Sequence, residues 1–298
     1  MQFTQQFINF AINNHNLHVS AYELGCFMKQ SPYSLNKNHN MNTQNNTTRI
    51  KVPENWGMYM QRIDEKPSVT RVNLALYDSA PYSDYQYRIQ LAVYYKNQTE
   101  SGLPTAEENP QLWEIEDAFV ELLKQVDAID TGLMKWNNRL NFFFYVKKPD
   151  SMEAKFIDNL KQQFPDYEYK LWIDEDKVWE CYFETLYPDK YGMQEIKNNQ
   201  VLNALLKHND NLEKERQIDH YLFFKDEETA HSFLETVEKE GFKETAHRTD
   251  EGEELPVMTC ISRVDIADDI HDITWHLLDI AENFGGDYDG WESPIATD

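Results

Sequence analysis

IDHYLFFKDEETAHSFLETVEKEGF, residues Ile218–Phe242, begins as a strand and continues as a helix. Ile218–Lys225 is rich in aromatic and branched side chains, the composition of a strand. Asp226 then stands at a cap position before Ala230, Phe233, Leu234 and Val237, which share one helical face, and Gly241 sits where a helix stops. Working outward, Phe242–Arg248 and Leu255–Val264 read as two more strands joined by the acidic loop Thr249–Glu254. From Asp265, the residues Ile266, Ile270, Ile273, Leu277, Ile280 and Phe284 repeat at helical spacing, Gly285-Gly286 ends that helix, and Asp287–Trp291 makes a last short strand. The order is β-α-β-β-α-β, the ferredoxin-like split βαβ arrangement. Gln194–His208 precedes it as a connecting helix with Ile196, Val201 or Leu202, and Leu205 apolar.

Upstream lies a different pattern. Trp56–Arg62 and Val69–Tyr77 read as strands around Glu65-Lys66-Pro67, and Tyr85–Tyr95 alternates with period two. A helix carries Leu112, Ile115, Phe119, Leu122 and Val126, started either by Thr105 with Glu108 or by Asn109-Pro110. Ile129–Trp136 and Leu140–Lys147 form a hairpin about Asn137-Asn138. A second helix follows Asp150 or Ser151 with Phe156, Ile157, Leu160 and Phe164 inward. Tyr167–Ile173 is a final strand, and Lys177–Tyr187 a short aromatic element before Pro188-Asp189. The fold class is therefore α+β in two domains: an antiparallel sheet with helices on one face, then the ferredoxin-like βαββαβ domain. Expected boundaries are 49–190 and 194–298. Residues 1–48 form a poorly ordered Asn/Gln-rich lead-in in which Phe3, Phe7 and Phe10 have helical spacing and Met41 is an alternative start.

Charge separates the halves. The 298-residue chain carries 52 Asp and Glu against 28 Lys and Arg, a net of −24. Gln194–Asp298 holds 26 acids and 9 bases, a net of −17. Such a field repels phosphate backbones, so direct nucleic-acid binding is disfavoured, while basic protein surfaces are attracted. Acidity also serves plain solubility. Cys26, Cys181 and Cys260 are odd in number and far apart, which is no disulfide framework and points to a reducing compartment, the cytoplasm. No run of residues has the length of a membrane span and the N-terminus has no secretory signature.

Motifs for catalysis or cofactors are missing: there is no P-loop, GxGxxG, HExxH, GxSxG or EF-hand pattern, so no cofactor is expected. Asp268, Asp272 and His276 follow one another at i, i+4, but a solvated acidic helix face explains them without a metal. Cys260, in Val257-Met258-Thr259-Cys260-Ile261, reads as a buried thiol of a central strand. Asp219 and His220 open one strand, and Tyr288-Asp289-Gly290-Trp291 closes the module. Trp291 suits either an interface anchor or a ring packed on the sheet, in which case Trp291→Ala would cost ~3 kcal/mol.

These last stretches, Ile218-Asp219-His220 and Tyr288-Asp289-Gly290-Trp291 with the acidic hairpin between them, resemble the regulator of ribonuclease E activity B (RraB) family over Gln194–Ile295. Gly102-Leu103-Pro104-Thr105, Ile115-Glu116-Asp117 and Trp179-x-x-Tyr182-Phe183-x-x-Leu186-Tyr187-Pro188 resemble the bacterial family known as domain of unknown function 695, which is found fused to RraB-like domains. The first resemblance implies a non-enzymatic protein inhibitor that binds an endoribonuclease away from its catalytic centre. The expected partner is a protein with a basic surface, ribonuclease E or another nuclease, and the partner-binding candidates are Asp219, His220, Asp268, Asp272, His276, Tyr288, Asp289 and Trp291. Well-known members carry a long acidic C-terminal tail, whereas here seven residues follow Trp291. Two other readings stand beside this one: an immunity-type inhibitor of a toxin, and an enzyme with a site in the middle domain, for which a cleft lined by perturbed carboxylates would be the mark.

Overall fold

The computed structural model describes residues 50–149 and 152–297. The readings placed on residues 1–48, and the choice between Asp150 and Ser151 as a helix start, lie outside them. The chain divides into two compact units, the first ending at Asp189 and the second beginning at Lys190.

The first unit is a six-stranded antiparallel sheet in the order β1-β2-β4-β5-β3-β6. Its strands are β1 (Trp56–Ile63), β2 (Lys66–Asn73), β3 (Tyr87–Tyr94), β4 (Ala128–Trp136), β5 (Arg139–Val146) and β6 (Glu168–Glu175). Helices α1 (Asn109–Leu123) and α2 (Met152–Gln163) cover one face. Period-two alternation puts Ile89, Leu91 and Val93 of β3 and Phe142 and Phe144 of β5 on that face, against Ile115 and Phe119 of α1 and Phe156 and Leu160 of α2. Against the other face, the indole of Trp179 lies flat on the ring of Tyr145, centroids 4.1 Å apart.

Three local details differ from the sequence reading. The β1–β2 reversal is the two-residue turn Asp64-Glu65, both at positive φ, so Lys66 and Pro67 belong to the strand. Pro67 is tolerated near the strand start, as expected for a residue without an N–H. β2 stops at Asn73, whose side chain caps a short 3-10 turn over Leu74–Leu76 by accepting from the Ala75 N–H. Helix α1 begins at Asn109 with Pro110 in its first turn, as one of the two readings had it; Glu108 precedes the helix without capping it, and its carboxylate accepts instead from the backbone N–H groups of Lys96 and Asn97. The Asn137-Asn138 hairpin is as read, with both residues at positive φ.

The second unit holds β7 (Arg216–Phe224), β8 (Lys243–Thr249), β9 (Val257–Asp265) and β10 (Asp287–Glu292) in the antiparallel order β10-β7-β9-β8. With α4 (Glu227–Val237) and α5 (Ile270–Asn283) as the crossovers, this is the βαββαβ arrangement read from the sequence. Asp226 caps α4 through the Thr229 N–H at 2.9 Å, and Gly241 takes the left-handed conformation at φ 90°. Leu222, Phe224, Phe233, Val237, Ile261 and Leu277 form the core between sheet and helices. Gly286 is required by packing: a Cβ there would lie 2.3 Å from the Phe224 ring. The helix before the module, α3 (Lys190–Lys207), starts four residues earlier than expected and packs on α5, so it is part of the unit and not a connector. No helix among the described residues is long and apolar enough to cross a membrane.

Candidate functional site

The eight residues singled out in the second unit separate by burial. His220, Tyr288 and Trp291 are buried. Asp219 and Asp268 are half-buried, while Asp272, His276 and Asp289 are exposed.

The buried three are tied into the architecture. On β7, side chains at even positions point toward the helices, which places His220 inside. Its Nδ1 is 2.8 Å from the Tyr288 hydroxyl across the β7–β10 pair, and its Nε2 meets no hydrogen-bond partner among the described residues. Burial, aided by nearby Arg263 and opposed by Asp219, pushes its pKa down to about 3. The imidazole is therefore neutral at pH 7. Trp291 donates its indole N–H to Asn198 Oδ1 at 2.9 Å, and the Gln194 amide donates to the same oxygen at 2.9 Å. The Asn198 amide in turn donates to Thr274 Oγ1 at 2.8 Å and lies 3.3 Å from His271 Nδ1. One asparagine thus joins α3, α5 and β10. Asn198 and Thr274 escaped the sequence reading; the signal available was a polar residue on the apolar side of each helix.

Asp268 lies in a 3-10 turn, Ala267–Asp269, ahead of α5, so the i, i+4 series with Asp272 and His276 does not run along one helix. His276 Nε2 is 2.7 Å from Glu240 instead. Among the described residues no group of three His, Cys, Asp or Glu could hold a metal ion. Partial burial beside Glu213 and Asp269 pushes the Asp268 carboxyl up to about 6. Cys260 is buried on β9 and its thiol is pushed up by that burial, which leaves it a weak nucleophile.

Several cations of this unit are occupied by its own carboxylates. Lys190 bridges Asp279 and Glu282, Arg216 pairs with Asp210, Arg248 with Asp250 and Arg263 with Asp265. Glu251, Glu253 and Asp250 stand exposed on the β8–β9 loop, next to β8, every residue of which is exposed. The excess negative charge is therefore presented outward.

In the first unit, a cleft of about 510 Å³ is lined by Val52, Glu54, Trp56, Asn73, Leu123 and Asp130 among others. Asp130 sits at a bulge in β4 and accepts the Gly132 N–H at 3.1 Å. Desolvation raises its pKa to about 7, with Arg71 pulling down and Glu116 pushing up. Glu116, from the Ile115-Glu116-Asp117 stretch, is itself ion-paired with Arg71 at 2.7 Å. The cleft has one raised carboxyl; its neighbour Glu116 is already held by a guanidinium.

With this geometry in hand, the chain was compared with known proteins. Residues 54–187 match a family of unknown function, DUF695, and residues 195–293 match the family Regulator of ribonuclease activity B, RraB. No curated protein matches the chain. Two solved structures show distant similarity. One is an unknown protein from Galdieria sulphuraria, at 12% identity and TM-score 0.20, covering 70% of this chain and 99% of that one. The other is a putative glycine cleavage system transcriptional repressor, at 9% identity and TM-score 0.23, covering 70% and 98%. At such scores neither structure bears on function.

Proposed function

We propose that this chain, a DUF695 domain followed by an RraB domain, is a non-catalytic regulator that inhibits a ribonuclease by covering a basic surface of the enzyme. The observation that carries the reading is the coincidence of the RraB match with the charge: residues 194–298 carry 26 acids against 9 bases. The division of labour follows from burial. Asp272 and Asp289, with the carboxylates of the β8–β9 loop, are the exposed candidates for contact, and Asp219 and Asp268 are half-buried ones. His220, Tyr288 and Trp291 act through the fold, by holding β10 on β7 and α3 on the module. The working boundaries are 49–190 and 194–298, and the setting is the bacterial cytoplasm.

The test is calorimetric titration of the full chain into a ribonuclease E-type enzyme across a salt series, with a single-stranded RNA in parallel. We expect binding to the enzyme that weakens steeply with salt, and none to RNA. Glu251→Lys with Glu253→Lys should slow association about tenfold at low salt. Direct capture of RNA, or no enzyme binding at low salt, overturns the proposal. Binding only to an unrelated toxin nuclease would move the protein to the immunity class.

A further inference from the structure

Among the described residues arginine is spoken for, with one exception. Arg62 donates to the Glu65 carbonyl; Arg71, Arg88, Arg216, Arg248 and Arg263 each face a carboxylate. Arg139, the first residue of β5, meets no acceptor among the described residues, and its Nε is buried without a partner. An unpaired guanidinium is unexpected in a protein with a net charge of −24.

Its surroundings are aromatic. Arg139 lies over Trp136 at 5.3 Å and over Trp172 at 5.8 Å, and Lys170 lies over Trp172 at 4.6 Å. The Trp136 ring is fixed by its indole N–H, which donates to the Ile63 carbonyl at 3.1 Å. All four side chains belong to the sheet face opposite α1 and α2, as the register of β4, β5, β3 and β6 requires. Lys170 is exposed and the other three are half-buried. Glu168, exposed on the same strand face, pairs with neither cation.

We propose that Arg139 and Lys170, bracketing Trp172 beside Trp136, form a binding site for a phosphate monoester with an apolar or aromatic body. The planar fork of Arg139 offers two parallel N–H donors to an oxyanion, Lys170 adds a second positive charge suited to a dianion, and the indoles supply walls for the body of the ester. The site lies outside the acidic second unit and does not rest on the ribonuclease reading.

Calorimetry on the full chain with phenyl phosphate, inorganic phosphate and benzoate tests this. Phenyl phosphate should bind saturably and more tightly than the other two. Binding should weaken as pH falls below ~6, where the dianion takes up a proton and becomes a monoanion. Lys170→Ala, at an exposed position, should weaken binding several-fold. Arg139→Ala should weaken it by ~10-fold or more, the effect of losing a charged hydrogen bond, and Arg139→Lys should recover only part. Circular dichroism separates loss of the site from loss of the fold. Adenosine monophosphate and a phosphoserine peptide, run in parallel, distinguish a free ester from a phosphorylated chain as the source. Absence of saturable binding, benzoate binding as tightly as phenyl phosphate, or undiminished binding in the Arg139→Ala/Lys170→Ala double variant overturns the proposal.

Discussion

Asn198 is the joint of the second unit, and removing it should cost more than any exposed carboxylate there. Asn198→Ala strips the acceptor from two buried donors, the Trp291 indole N–H and the Gln194 amide, both at 2.9 Å. A buried donor left unpaired costs about 1–3 kcal/mol. Gln194 can partly re-orient, so the total should be on the order of 3 kcal/mol, against a typical domain stability of roughly 5–15 kcal/mol. Trp291→Phe deletes the same N–H while keeping a ring in the pocket. If the bond carries the effect, the two changes are not additive: the double variant should be more stable than the sum implies by about 1–2 kcal/mol. Urea unfolding followed by far-UV circular dichroism measures the cycle, and hydrogen exchange of the α3 and β10 amides reports whether those elements loosen together. Additivity within ~0.3 kcal/mol, or an Asn198→Ala loss below ~0.5 kcal/mol, would refute the idea that this asparagine holds α3 to the module.

Two titrations of opposite sign should be separable by unit. His220 has a folded pKa depressed from 6.5 to about 3, so the unfolded chain binds more protons between those values and stability is lost as pH falls through that window. His220→Gln should flatten the acid limb of the second unit's melting curve. Asp130 has a carboxyl raised from 3.8 to about 7, so the folded state binds more protons and stability is lost as pH rises across that range. Asp130→Asn, which keeps an acceptor for the Gly132 N–H, should stabilise the first unit near pH 8 by on the order of 1 kcal/mol, a figure reduced for its partial exposure. Gly132→Ala places a Cβ 2.2 Å from the Arg71 carbonyl at φ 151°, and proteolysis or melting should show a loss of at least ~3 kcal/mol.

The elements of the second unit were readable because each carries its own punctuation. Asp226 before α4, Gly241 after it and Gly285-Gly286 after α5 act within a few residues, and local geometry is what a linear pattern encodes. The turn before β2 was misplaced because Asp64-Glu65 lacks glycine and asparagine, while Pro67, two residues on, gives the louder signal. At α1 two starts competed in the sequence, and the one marked by Asn109-Pro110 is where the helix begins. Glu108 was drawn off by the N–H groups of Lys96 and Asn97, a tertiary contact that no local rule contains.

Site residues were harder to read for the same reason. Type and spacing singled out His220, Tyr288 and Trp291, but a residue can be conspicuous because it touches a partner or because it satisfies a buried polar group. Only burial separates the two, and here it puts all three inside. Arg139 shows the converse. Nothing in Asn138-Arg139-Leu140 marks it, since a basic residue beside a hairpin turn is ordinary. Its character emerges from two tryptophans, one three residues before it and one 33 residues after it, and from the lack, among the described residues, of any carboxylate against it. In a chain this acidic the residues worth attention are the cations left uncancelled, because every neighbouring carboxylate had the chance to cancel them and the fold prevented it.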